Sequence, residues 1–108
     1  MTNSNQYPSE QFRLAAKDWV EKDGAARMLE EAKTAVLSQR MSALGDMPVS
    51  KAERIIKASD EWRDYITKMV KAREAANLAK VRMEYVKMKA WEHQSANATA
   101  RAEMRLSA

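Results

Sequence analysis

Residues 55–90 read IIKASDEWRDYITKMVKAREAANLAKVRMEYVKMKA, and the fold follows from their spacing. At alternating steps of three and four stand Ile55, Ala58, Trp62, Tyr65, Met69, Ala72, Ala76, Ala79, Met83, Val86 and Ala90, all apolar, with no Gly or Pro between them. A helix turns once in about 3.6 residues, so this rhythm gathers the side chains into one narrow stripe. A repeat sustained over five heptads is the pattern of a coiled-coil seam, where side chains of one helix fill gaps in another.

Working outward toward the N-terminus, Gly45 is placed to end a preceding helix in the left-handed conformation, and Pro48 stops its continuation. Ser50 and Glu53 have the spacing of a capping box opening the next helix. Ser9 can cap the first helix at about Glu10, leaving residues 1–8 as a flexible arm. The expected order is a helix over about 9–44, a turn over 45–50 and a long helix over about 51–107, with a break near 95–97 as an open alternative. The apolar face of the first helix is Phe12, Ala16 and Trp19 early, then Ala25, Leu29, Ala32, Val36 and Ala43. These two runs do not share one heptad frame, and Gly24 lies at the change, so a bend, a slip in packing or a complete break is expected there. Helices of matched length joined by a short connection pack as antiparallel neighbours. The predicted fold is all-α, a single domain built as a long antiparallel helical hairpin with a C-terminal helical extension, assembled into an oligomeric bundle.

Two features bear on assembly. Leu78, Val81, Tyr85 and Met88 repeat at three and four residues on the side of the long helix away from the seam, with Trp91 close by. In a two-helix hairpin this second stripe faces water, and contiguous exposed apolar patches mark interfaces; cover by the first helix or by the tail is the alternative. The main seam, by contrast, is flanked by Arg73, Lys80 and Lys87 on one side and Lys68, Arg82 and Lys89 on the other. Two copies paired seam to seam repel, so the seam prefers an acidic neighbour, which the first helix supplies in Asp18, Glu21, Asp23, Glu30 and Glu31.

Composition excludes most chemistry. The 108 residues include two Gly, two Pro and no Cys, which fits a helical protein and rules out disulfides and thiolate metal sites. His93 is the sole histidine, so no His cluster can hold a metal. Asp60 and Asp64 share a helix face but stand among Lys57, Arg63 and Lys68, as ordinary surface ion pairs do. No Gly-rich loop cradles a phosphate, and Asn97-Ala98-Thr99 matches a glycosylation acceptor without a secretory signal beside it. No run is long and apolar enough to span a bilayer, and 1–11 lacks the apolar core of a signal peptide. The expectation is a cytoplasmic protein without cofactor or membrane contact, and not an enzyme.

The net charge of +4 is uneven: residues 1–50 carry six basic and seven acidic side chains, residues 51–108 thirteen and eight. Lys68, Lys71, Arg73, Lys80, Arg82, Lys87 and Lys89 form the densest cluster and are the candidate nucleic-acid contacts, with Tyr85 and Trp91 available to stack on bases. They divide into two ridges rather than one track, and long basic side chains also flank helical seams for purely structural reasons. Leu78, Val81, Tyr85, Met88 and Trp91 are the candidate protein interface.

The runs 83–91 (MEYVKMKAW) and 97–106 (NATARAEMRL) resemble the tails of small helical accessory proteins encoded by bacteriophages. The resemblance covers about a quarter of the chain, holds no catalytic signature and transfers no functional residue. It implies a phage accessory protein acting in the bacterial cytoplasm on DNA metabolism or on a host or defence protein. The basic surface argues against a mimic of DNA. The sequence therefore reads as a helical homo-oligomer serving as scaffold, adaptor or inhibitor of a protein partner, with binding of DNA or RNA as the alternative.

Overall fold

The computed structural model describes residues 8–107 and places them in three helices, α1 (Pro8–Ala43), α2 (Val49–Lys57) and α3 (Asp60–Ser107), with no strand among the described residues. The chain is all-α. Of the expected arm at 1–8, seven residues lie outside the described ones; the eighth, Pro8, is already the first residue of α1. Proline suits a first turn, where its missing N–H has no partner to lose, so Ser9 stands inside the helix rather than capping it. Two compact units divide the chain, one formed by Glu21–Ala76 and the other, among the described residues, by 8–20 and 77–107.

Helix α1 runs unbroken through Gly24. The expected change of frame there came from counting apolar residues alone. Ala25 and Ala43 are exposed, whereas Asp23 is half-buried and Ala26 is fully enclosed. Trp19, Asp23, Ala26 and Leu29 or Glu30 therefore carry the three-four rhythm through the glycine. A methyl group added at Gly24 meets nothing within 4 Å. Gly24→Ala is expected to raise stability by about 0.5–1 kcal/mol, through the lower conformational entropy of the unfolded chain, as a shift in the urea midpoint will show.

Gly45 ends the first helical segment as its sequence suggests: its φ is 91°, and the Leu44 and Gly45 amides donate to the carbonyls of Met41 and Ser42. The capping box at Ser50 and Glu53 does not form. Pro48 takes the N-cap position of α2, with φ −57° and ψ 139°, and its carbonyl accepts from the Lys51 and Ala52 amides. Ser50 is thereby drawn into the helix, and Glu53 pairs forward with Lys57 at 2.6 Å.

The expected long second helix is two helices. Ser59 interrupts it: its Oγ accepts from the Trp62 amide at 3.2 Å and donates to the Ile56 carbonyl at 2.6 Å, closing α2 and opening α3 at once. Asp60 and Glu61 follow in the first turn, where carboxylates favour the positive end of the helix dipole. The joint shifts the helical phase. Ile56 and Ala52 are buried in α2, while Ile55 and Ala58, the first two positions of the expected seam, are exposed. From Trp62 onward the seam is as read: Trp62, Ala76 and Ala79 are buried, and Tyr65, Met69, Ala72, Met83, Val86 and Ala90 are half-buried. Ser59→Ala should cost about 1 kcal/mol as a lost N-cap, and Ser50→Ala much less; equal losses in a denaturant titration would contradict the assignment of the cap.

Within Glu21–Ala76 the packing is tied by polar bonds as well as by Trp62. The Trp62 and Tyr65 rings stack at 5.5 Å with 14° between planes, and the Tyr65 hydroxyl donates to the Leu29 carbonyl of α1 at 2.5 Å. Arg73 of α3 grips Glu30 with two parallel bonds, Nε to Oε2 at 2.9 Å and Nη2 to Oε1 at 2.6 Å, and reaches Asp23 with Nη1 at 2.7 Å. The hydrogen bonds from Arg73 hold both carboxyls below their ordinary values, with its charge adding to the effect. The acidic partner expected of α1 is thus Asp23 and Glu30.

Candidate interaction surface on the last helix

Residues 77–107 of α3 lie in the same unit as 8–20. Here α3 is apolar on two sides. Ala79, Met83, Val86 and Ala90 form the shielded side. Beside them runs the second stripe, its first four members one residue before or two after a shielded position and Trp91 directly after Ala90, and every member is more than half exposed: Leu78 63%, Val81 62%, Tyr85 54%, Met88 51% and Trp91 68%. Neither α1 nor the tail covers it. Helix α3 passes through 95–97 without a break, and every described residue from Trp91 onward is exposed.

The two edges of the stripe differ in charge. Arg82 and Lys89 border one side; Glu84 and the Trp91 ring border the other. Lys89 lies over the Tyr85 ring at 5.7 Å and within 3.5 Å of a Glu92 carboxylate oxygen. Glu84 and Arg82 make no ion pair among the described residues. On the Glu84 side the surface falls into a groove of about 510 Å³ between the start of α1 and α3, lined by Ser9, Phe12, Glu84, Lys87, Met88, Ala90, Trp91 and Gln94. Its floor is apolar, with Phe12, Met88 and Trp91 contributing the large side chains. Sequence reading placed Phe12 on a buried face and missed this groove, because it exists only once α1 and α3 are paired.

The basic residues fall into different situations. Lys80, Arg82, Lys87 and Lys89 are exposed in this unit, and Lys68 and Lys71 are exposed within Glu21–Ala76. Arg73 is different: its donors are taken by Asp23 and Glu30. His93 is exposed, with Asn97 Nδ2 3.2 Å from its Nε2. No cluster of three metal-ligating side chains occurs among the described residues, and none of their helices is long and apolar enough to cross a membrane. No protein-family model matches this chain, and neither a curated protein nor a solved structure matches it, so the assignment of its surface rests on its own residues.

Proposed function

We propose that the chain is a non-enzymatic interaction protein that holds a protein partner on the outer stripe of α3. The observation that carries this reading is the line of five large apolar side chains, Leu78 to Trp91, each more than half exposed beside an apolar groove. Apolar area left in water on folding forgoes the free energy of burial, and covering it with a partner gains it. The platform behind it is an antiparallel helical hairpin. The pairings of Tyr65 with Leu29 and of Arg73 with Glu30 and Asp23 support it, since the α1 partner recedes as α3 advances. The role is that of a scaffold, adaptor or inhibitor, and the resemblance of the tail to phage accessory proteins supports a role in the bacterial cytoplasm on a host or phage protein.

Exposed Lys80, Arg82 and Lys87, with no ion pair among the described residues, favour one second reading, binding of DNA or RNA through phosphate contacts. Tyr85→Glu separates the two. On the protein-interface reading the variant keeps its helicity and its stability to within about 0.5 kcal/mol, as a surface change does, and loses association in light scattering. Unfolding of Tyr85→Glu would show the stripe to be core and end the proposal. Retention of a duplex or single-stranded oligonucleotide that weakens with salt, and is abolished by Lys80→Glu with Lys87→Glu, would establish the second reading instead.

A further inference from the structure

The stripe has a period, two differently charged edges and a defined end, and together these identify its occupant. Within α3, Leu78 and Tyr85 occupy one core position of a heptad, Val81 and Met88 the other. The next two core positions are Glu92 and Ser95, so the apolar run stops after two heptads. Arg82 and Lys89 then fall on the edge that follows each Val81-type position, and Glu84 and Trp91 on the edge that precedes each Tyr85-type position.

We propose that a second copy of this chain covers the stripe, with the two α3 helices parallel and in register. This rests on the reading of the stripe as a protein interface and goes on to name its occupant and orientation. Charge decides the orientation. In a parallel pair, an edge residue of one helix faces the opposite edge of the other, five positions further along. Glu84 then faces Lys89 of the second copy, and by symmetry the contact forms twice. In an antiparallel pair like edges face each other. Arg82 and Lys89 then meet the same basic edge, Glu84 meets Glu84, and both contacts repel.

The partners of these residues within one copy do not compete strongly. Glu84 has none among the described residues, and the contact of Lys89 with Glu92 joins two side chains that are each 56% exposed. Shape agrees with charge: the same five-residue offset sets the Trp91 ring against Ala96 of the second copy, a large side chain against a small one. The area available is modest. Each aromatic side chain buries about 150–250 Å² when covered, so five partly exposed side chains supply on the order of 500 Å² per copy. That is toward the lower end of specific interfaces and matches a dimer in the micromolar range.

The chain has no cysteine, so single cysteines report the geometry cleanly. In the parallel pair Met88 of one copy adjoins Met88 of the other. In an antiparallel pair centred on the stripe, Leu78 adjoins Met88, and the two Met88 positions are about 15 Å apart, beyond disulfide reach. The experiment oxidises full-length Met88→Cys and Leu78→Cys, each alone and mixed, with Lys80→Cys as an off-stripe control. Alongside, sedimentation measures Glu84→Lys, Lys89→Glu and the double exchange.

The expected result is covalent dimer from each stripe variant alone and not from the control. About tenfold weaker association should accompany either single charge reversal, with recovery in the double exchange. Dimer only in the Leu78→Cys and Met88→Cys mixture would overturn the parallel arrangement while leaving the stripe an interface. No dimer at all, with Tyr85→Glu still folded, would overturn the second copy as occupant. Unfolding of Tyr85→Glu would remove the underlying reading as well.

Discussion

Trp62→Ala is expected to lower stability by about 3–5 kcal/mol, the range for losing a buried large aromatic side chain. Trp62 is 5% exposed and, among the described residues, the only large aromatic one that is buried. It stacks on Tyr65, whose hydroxyl fastens α3 to the Leu29 carbonyl of α1. Its own amide is the one capped by Ser59. Removing the indole therefore empties the place where the start of α3, the end of α2 and the middle of α1 depend on one another. A domain of this size has about 5–15 kcal/mol in total, so the variant approaches the threshold of folding. Trp91→Ala is the internal comparison: at 68% exposure it should change the stability of the single copy by no more than about 0.5 kcal/mol. Urea titrations followed by far-ultraviolet circular dichroism measure both. A loss below about 1 kcal/mol for Trp62→Ala would mean that the centre of packing lies elsewhere.

The second large effect is on acid stability. Hydrogen bonds from Arg73 depress the carboxyls of Asp23 and Glu30 below their ordinary values of 3.8 and 4.5. Depressed groups contribute stability that is fully present above the unfolded values and lost as pH falls through the folded ones. Below about pH 4.5 the unfolded chain takes up protons that the folded one still refuses, so the folded state weakens on acidification. With two such carboxyls, unfolding in this range takes up as many as two more protons than it does at neutral pH. Arg73→Met removes the largest cause of both shifts, while Arg27, whose Nη2 donates to Asp23 at 2.8 Å, still favours the ionised carboxylates. The variant's denaturation midpoint should depend less steeply on pH between about pH 5 and pH 2, besides being lower at pH 7. Parallel pH profiles for the two proteins would show that Arg73 does not hold these carboxyls.

Much of this architecture was readable in the residues, and the failures share a cause. The seam from Trp62 to Ala90 and the left-handed Gly45 follow from apolar spacing and from the steric freedom of glycine. Ile55 and Ala58 matched the same spacing without joining the seam, because local hydrogen bonding at Ser59 outweighed the continuation of a helix. The signal was present: a serine followed by two acids is a helix start. Conversely, Ser50 and Glu53 had the letters of a cap, but Pro48 fixed the chain first. Counting only apolar residues hid the continuity of the α1 face through Asp23, although the pairing of Asp23 and Glu30 with the basic flank at Arg73 was legible from charge. The exposure of the outer stripe was legible from its phase relative to the seam; the groove with Phe12 was not, since it takes two helices to make one.

The buried set has a thermal consequence. Among the described residues it has six members, Ala26, Ala52, Ile56, Trp62, Ala76 and Ala79, of which four are alanines, and no large side chain there is wholly enclosed. The heat-capacity increment of unfolding tracks the apolar area released, near 12–15 cal/mol/K per residue in ordinary globular domains, and a core of methyl groups releases little. Its stability curve is expected to be correspondingly flat, with a broad transition, and scanning calorimetry measures both.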